Sequence, residues 1–231
     1  MKAKKATIIQ SNYIPWKGYF DMINAADVFV VYDEMQYTKN DWRNRNIIKT
    51  PNGTQWLTIP VVVSGKFGQK INETETFKNV WRKKHWKTIV QNYGKTPFFP
   101  MYKEVFEEAY LGTTETNLSH INVQFIKIIN ELLGIQTEII LSKELSFAGD
   151  RNQRLIEILN TLKATTYISG PAAKSYMDMH LFSKNNIEVE WANYSGYPEY
   201  QQKYLPFEHG VTILDLLFNE GPNAPKFMKS F

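Results

Sequence analysis

The spacing of apolar and polar residues changes several times along the chain, and each change marks an element. Ala6-Thr7-Ile8-Ile9-Gln10 is a short run rich in β-branched residues and reads as a buried strand. Pro15 follows. Phe20, Ile23 and Ala26 then recur at helical spacing, which predicts a helix from about Lys17 to Ala26. Val28-Phe29-Val30-Val31-Tyr32 is a second buried strand, ending at Asp33. Strand, turn, helix and strand in such short order form a βαβ unit. Such a unit implies a parallel sheet with a right-handed crossover.

Residues 34–76 break this rhythm. Trp56-Leu57-Thr58-Ile59-Pro60-Val61-Val62-Val63 is β-rich and lies between Gly53 and Gly65, so a hairpin-like insertion or edge segment is expected. Helical periodicity resumes over Asn79–Tyr93, closed by Gly94, over Pro100–Tyr110, stopped by Gly112, and over Asn117–Leu133, ended by Gly134. Thr137–Leu141 is again a strand. Asp150 can cap a helix over Asn152–Leu162. Thr166-Tyr167-Ile168 leads through Ser169-Gly170-Pro171 into a helix reaching about Phe182, and Ile187–Trp191 is the last strand. The pattern predicts an α/β fold with a mostly parallel sheet and flanking helices, Rossmann-like. A single domain over residues 1–231 is expected, with the β-rich insertion at about 34–76 and a helical segment at about 79–133.

Composition narrows the picture. A chain of 231 residues suits one large domain with a substantial core. No apolar run approaches the ~20 residues of a membrane span. The apolar part of the N-terminus after Met1-Lys2-Ala3-Lys4-Lys5 is too short for a signal-peptide core, so a cytoplasmic protein is expected. There is no cysteine, which excludes disulfides, thiolate metal sites and cysteine nucleophiles. A net charge of +4 admits an anionic partner such as a nucleotide without demanding one. Many aromatic residues stand beside basic or polar ones, a pairing that suits rings, sugars and phosphates but also serves an aromatic-rich core.

Candidate chemistry gathers where strands hand over to helices, since open α/β sheets bind ligands at their strand carboxyl ends. Gln10-Ser11-Asn12-Tyr13-Ile14-Pro15-Trp16-Lys17-Gly18 is the first such place. Gln10 and Asn12 can hydrogen-bond a ligand, Tyr13 and Trp16 can flank it, and Lys17 can meet phosphate near a helix N-terminus. The plainer reading is that Pro15 starts the helix, Trp16 packs and Gly18 permits helix–sheet contact. The second place is Gln36–Asn46, where Tyr37, Lys39, Trp42, Arg43 and Arg45 lie close together. Arginine suits bidentate phosphate or carboxylate recognition, and the aromatic rings suit a base or sugar face. A solvated basic turn is the alternative. A third, Ser169-Gly170-Pro171-Ala172-Ala173-Lys174-Ser175-Tyr176, puts Ser169, Lys174 and Tyr176 at another strand end, or is a plain βα turn.

Of the four histidines, His85 is the best placed for acid–base work. It sits in Trp81-Arg82-Lys83-Lys84-His85-Trp86-Lys87, a stretch that also fits a solvated face with two buried tryptophans. Nucleic acid is therefore not the partner expected. Asp215, in an apolar helical stretch, is either a structural anchor or a site residue. No metal motif, dinucleotide fingerprint, phosphate-binding loop or nucleophile elbow is present. The first loop bears a loose likeness to nucleotidylyltransferase-type α/β proteins. It lacks both histidines of their signature, which counts against histidine-based adenylyl transfer.

Taken together, Gln10–Phe20, Ala26-Asp27, Gln36–Asn46, Trp56–Pro60, Lys84-His85-Trp86, Ser169–Tyr176, Tyr197–Gln201 and Ile213–Asn219 resemble the WbqC-like family. These segments run across nearly the whole chain. The resemblance implies a role in making or decorating a nucleotide-linked sugar for a bacterial surface glycan. Together with the basic, aromatic loops this leads to an expected acyl or aminoacyl transfer to a nucleotide-linked amino sugar; no catalytic residue is carried over from the family, His85 and Lys174 being candidates from their own positions, and ATP is admitted as activator of the acid by fold analogy. The alternatives are a nucleotidyl- or glycosyltransferase and a non-catalytic nucleotide- or glycan-binding protein.

Overall fold

The computed structural model describes residues 3–231. Strand β1 (Lys5–Ile9) runs up the middle of the sheet. Helix α1 (Lys17–Asn24) carries the chain to β2 (Val28–Val31). An antiparallel hairpin follows, β3 (Arg45–Thr50) and β4 (Gly53–Thr58), pairing Arg45 with Thr58 and Thr50 with Gly53. Then come α2 (Val80–Tyr93), α3 (Phe99–Leu111) and α4 (Leu118–Leu133), which Gly134 closes with a left-handed φ of 74°. The second α/β half consists of β5 (Glu138–Leu141), α5 (Arg151–Thr161), β6 (Thr166–Ser169), α6 (Met179–Lys184) and β7 (Glu188–Trp191). Helix α7 (Ile213–Glu220) ends the regular structure.

The five parallel strands lie in the order β5-β2-β1-β6-β7, a Rossmann-like arrangement. β1 is paired with β2 on one side and β6 on the other. The chain thus moves outward in opposite directions from β1 and β6, and the strand order reverses between them. The expected parallel α/β fold is the one observed.

All four residues of β2 are apolar because both of its faces are covered. Val28 and Val30 join a cluster with Leu155, Ile158 and Leu159 of α5 and Phe182 of α6. Phe29 and Val31 face the opposite way, into a larger cluster with Phe20 and Ile23 of α1 and Ile129 and Leu133 of α4. The single expected helix after Ser169 is instead two pieces, a 3-10 turn over Pro171–Ser175 and α6. The break occurs because Asp178 turns its side chain to accept from the backbone N–H of Leu181 and caps a new helix.

The helical layer carries a buried polar chain. The Tyr13 hydroxyl lies 2.6 Å from that of Tyr110 and 3.0 Å from Nδ1 of His85, whose Nε2 lies 3.2 Å from the Thr58 carbonyl. A neutral imidazole satisfies this arrangement, with Nε2–H donating to Thr58 and Nδ1 accepting from Tyr13. Burial, set against the Thr58 hydrogen bond and aided by Lys84, lowers the His85 pKa to about 4. The unfolded chain therefore binds a proton near pH 6.5 that the folded chain refuses until about pH 4. The stability tied to this residue is complete above pH 6.5 and is lost as pH falls toward 4, by roughly 3 kcal/mol. Urea titrations at stepped pH should show this loss in the native protein and a flatter profile in His85→Gln. Equal losses in both proteins would assign the acid sensitivity elsewhere.

Candidate active site

A cleft of about 260 Å³ opens beside the carboxyl end of β1, lined by Asn12, Pro15, Trp16, Trp42, Asn46 and Gly210. The β1–α1 loop and the segment entering β3 form most of its wall, stitched by a backbone hydrogen bond from Tyr13 N–H to the Trp42 carbonyl (3.0 Å). The Arg43 guanidinium donates to Oδ1 of Asn12 and, at 3.2 Å, to Oε1 of Gln10. Two neutral amides thus fix the fork, and Asp41 offsets part of its charge. Asp41 lies 3.9 Å from it. Burial works against the Asp41 carboxylate, but the Thr38 hydroxyl, Arg43 and the Trp42 N–H together hold its pKa below the usual range.

The loop is held from beneath. Asp33, at the end of β2, accepts from Ser11 N–H (2.8 Å) and from the Ser119 hydroxyl of α4. Asn122 donates to the Ser11 hydroxyl (3.0 Å) and to the Arg43 carbonyl (2.9 Å). Ile14 has a φ of +37°, a strained setting for a β-branched residue. Nδ2 of Asn46 donates to the carbonyls of Tyr13 and Ile14, both at 2.9 Å, and the Thr212 hydroxyl donates to Ile14 at 2.7 Å. This clamp turns Tyr13 into the core and leaves Trp16 at the cleft.

The walls are aromatic. Trp42 is 42% exposed, and its ring lies 5.2 Å from that of Trp56, over which the Arg45 guanidinium sits at 4.1 Å. Trp16 packs edge-on against Tyr194 (5.2 Å) and Tyr197 (5.6 Å). A Cβ on Gly18 would come within 2.3 Å of the Trp16 ring, so Gly18 makes room for this indole. Beyond Gly210 stands His209, whose Nδ1 is buried without a hydrogen-bond partner. Burial, then the charge of Lys17, keeps its pKa below the ordinary value despite Glu199 and Glu208.

Several candidates lie elsewhere. Tyr13 is buried in its bonds to His85 and Tyr110, and His85 is only 4% exposed with both ring nitrogens engaged. His85 therefore lies outside the cleft, packed under the hairpin. Tyr37 is also buried, and burial followed by the Asp41 charge pushes its hydroxyl up to about 12, with Arg45 opposing. Lys17 is buried over the rings of Tyr197 (4.8 Å) and Tyr200 (5.4 Å), where Nζ donates to the Pro198 carbonyl. Burial lowers its pKa to about 8 against the pull of Asp21, Asp215 and Glu199. Lys39 is exposed at the loop tip, Ser169 is buried at the end of β6, Lys174 lies over Trp191 (5.4 Å) and Tyr176 lies beneath Arg151 (4.3 Å). None of these four lines the cleft. Asp215 is a structural anchor, accepting from Tyr93, Tyr200 and Gln202 with no exposure. Among the described residues no cluster of three or more histidines and carboxylates has metal-site geometry.

This combination of crevice, arginine fork and aromatic walls spans segments from both ends of the chain, and the match to known proteins is equally broad. The model of the WbqC-like protein family matches residues 10–227. The chain belongs to the WbqC-like family. Within curated sequences it is 45% identical over 226 residues to the uncharacterized protein Rv1507c of Mycobacterium tuberculosis, covering 98% of each chain. No solved structure matches. The family match takes in every residue that lines the cleft. Trp56, His209, Gly210 and Thr212 escaped sequence reasoning about this site, whereas Asn46 closes the Gln36–Asn46 segment marked there as a ligand loop.

The clamp on Ile14 is open to direct test. Asn46→Ala removes two buried hydrogen bonds and leaves two carbonyls short of a donor, which should destabilise the protein by about 2–3 kcal/mol in urea unfolding. A loss below about 0.5 kcal/mol, the scale of a neutral surface change, would show that the turn holds itself.

Proposed function

We propose that this protein is an enzyme of bacterial surface-glycan biosynthesis that binds a nucleotide-linked amino sugar in the Trp16–Trp42 cleft and transfers an acyl or aminoacyl group to its amine. The observation that carries the reading is the Arg43 fork, held by Gln10 and Asn12 at the carboxyl end of the central strand, next to the cleft that Asn12, Trp16 and Trp42 line. A preset guanidinium suits the diphosphate of a nucleotide-sugar, and an indole face suits a sugar ring or base. Arg45 over Trp56 extends the same cationic and aromatic surface. The WbqC-like family's association with surface-polysaccharide gene clusters supports the same substrate class.

In this reading the amine attacks the acyl carbon. A C–N bond forms, the bond to the acyl leaving group breaks, and the amine proton passes to His209. Its low pKa keeps the imidazole neutral and able to accept at physiological pH. His209 replaces His85 in this role because it borders the cleft residue Gly210.

Titration calorimetry with a panel of uridine- and thymidine-diphosphate amino sugars tests the substrate class. Arg43→Ala should weaken the binding ligand by about 1.5–3 kcal/mol, roughly 10- to 150-fold. Trp42→Ala should weaken it as well while leaving the fold intact, since Trp42 is half exposed. Affinity unchanged in both variants would overturn the assignment of the cleft.

A further inference from the structure

A second, larger groove lies on the same rim of the sheet, at the carboxyl ends of β2 and β5. Its volume is about 870 Å³, within the range of small-molecule sites. Three cations reach it from separate elements. Lys70 comes from the segment that bridges Gln36, Lys143 from the turn after β5, and Arg154 from the first turn of α5. Phe147 supplies an aromatic wall, packed 5.5 Å from Tyr32.

The one carboxylate in the lining is turned to internal work. Glu34 accepts from the Ser142 hydroxyl and from Nδ2 of Asn72 (3.1 Å). Its single charge, which feels Lys70 and Lys143, offsets only part of the three positive charges. Lys143 makes no ion pair among the described residues, and Lys70 has only Glu73 at 3.8 Å, with both side chains about half exposed. Arg154 donates through Nε to the Gly149 carbonyl (2.7 Å).

We infer that this groove binds an oligophosphate group, separately from the Trp16–Trp42 cleft. Three converging cations of two kinds fit a chain of phosphates better than a single carboxylate, and the groove is large enough for a nucleotide to carry them. The inference does not rest on the proposed function, because none of the groove's residues lines the first cleft. If both hold, the two sites place two phosphate-bearing substrates on one sheet edge.

Calorimetric titration of the full chain with inorganic tripolyphosphate tests the site, with ATP as a second arm. Saturable binding of tripolyphosphate is expected, weakened at least tenfold in Lys143→Ala/Arg154→Ala and unchanged in the surface variant Lys184→Ala, which lies outside both sites. Lys70→Ala provides an independent variant and should weaken binding in the same direction. Tighter binding of ATP than of tripolyphosphate would identify a nucleotide as the source of the phosphates, and equal binding a free polyphosphate. Affinity within twofold of the native protein in the double variant, equal weakening in Lys184→Ala, or no saturable binding would overturn the inference.

Discussion

The strained turn at Ile14 decides what the rest of the site looks like. A β-branched residue with φ of +37° costs about 1–3 kcal/mol on its own, and three side-chain hydrogen bonds from Asn46 and Thr212 hold it in place. The turn sends successive side chains to opposite fates. Tyr13 enters the core and meets His85, while Pro15 and Trp16 emerge at the cleft. It also ties three distant parts of the chain together: the loop after the central strand, the start of the hairpin and the cap of α7. Asp33, Ser119 and Asn122 secure the same loop from the sheet side.

This clamp explains why some of the molecule was legible in the sequence and some was not. Strands and helices follow from local patterns, such as Val28–Tyr32 with its unbroken apolar run or Asp150 ahead of α5. That the loops around Asn12 and Arg43 lie at one edge was equally legible, because a parallel sheet gathers its loops at strand carboxyl ends. The Asn12 and Arg43 loops do meet there, side by side, through Arg43 itself. Which aromatic faces a ligand was not legible. Tyr13 and Trp16 are three residues apart in the same loop, and only the backbone at Ile14 separates core from cleft. The clamp's partners are far away in sequence, Thr212 most of all, and no local pattern announces them. The same holds for the histidines. His85 stands in a basic, polar-looking stretch yet is sealed under the hairpin, whereas His209 sits in an unremarkable loop that folds back to the cleft.

The buried polar groups divide into a rigid base and a charged rim. Below the cleft, the Tyr110–Tyr13–His85–Thr58 chain and the Asp215 anchor are satisfied internally, so they fix positions and offer nothing to a ligand. At the rim the opposite applies. Arg43 is held by neutral amides and Arg45 rests on an indole, with Asp41 the one carboxylate beside them, so the pair keeps a net positive charge for an outside partner. Lys17 shows how close the two regimes lie. It stands at the first turn of α1, where an anion would be welcome, yet its ammonium is folded into an aromatic box behind Trp16 and is turned to the protein's own carbonyl.

The central claim is that the loops around Asn12 and Arg43 form one preset site for a nucleotide-linked sugar. A crystal structure of the protein soaked with the tightest-binding diphosphate amino sugar tests it most directly. The account predicts the diphosphate on the Arg43 fork and a ring of the ligand against Trp42 or Trp16, with the Ile14 turn unmoved. A ligand bound away from this cleft, or a cleft that must rebuild the Ile14 turn to receive it, would contradict the account.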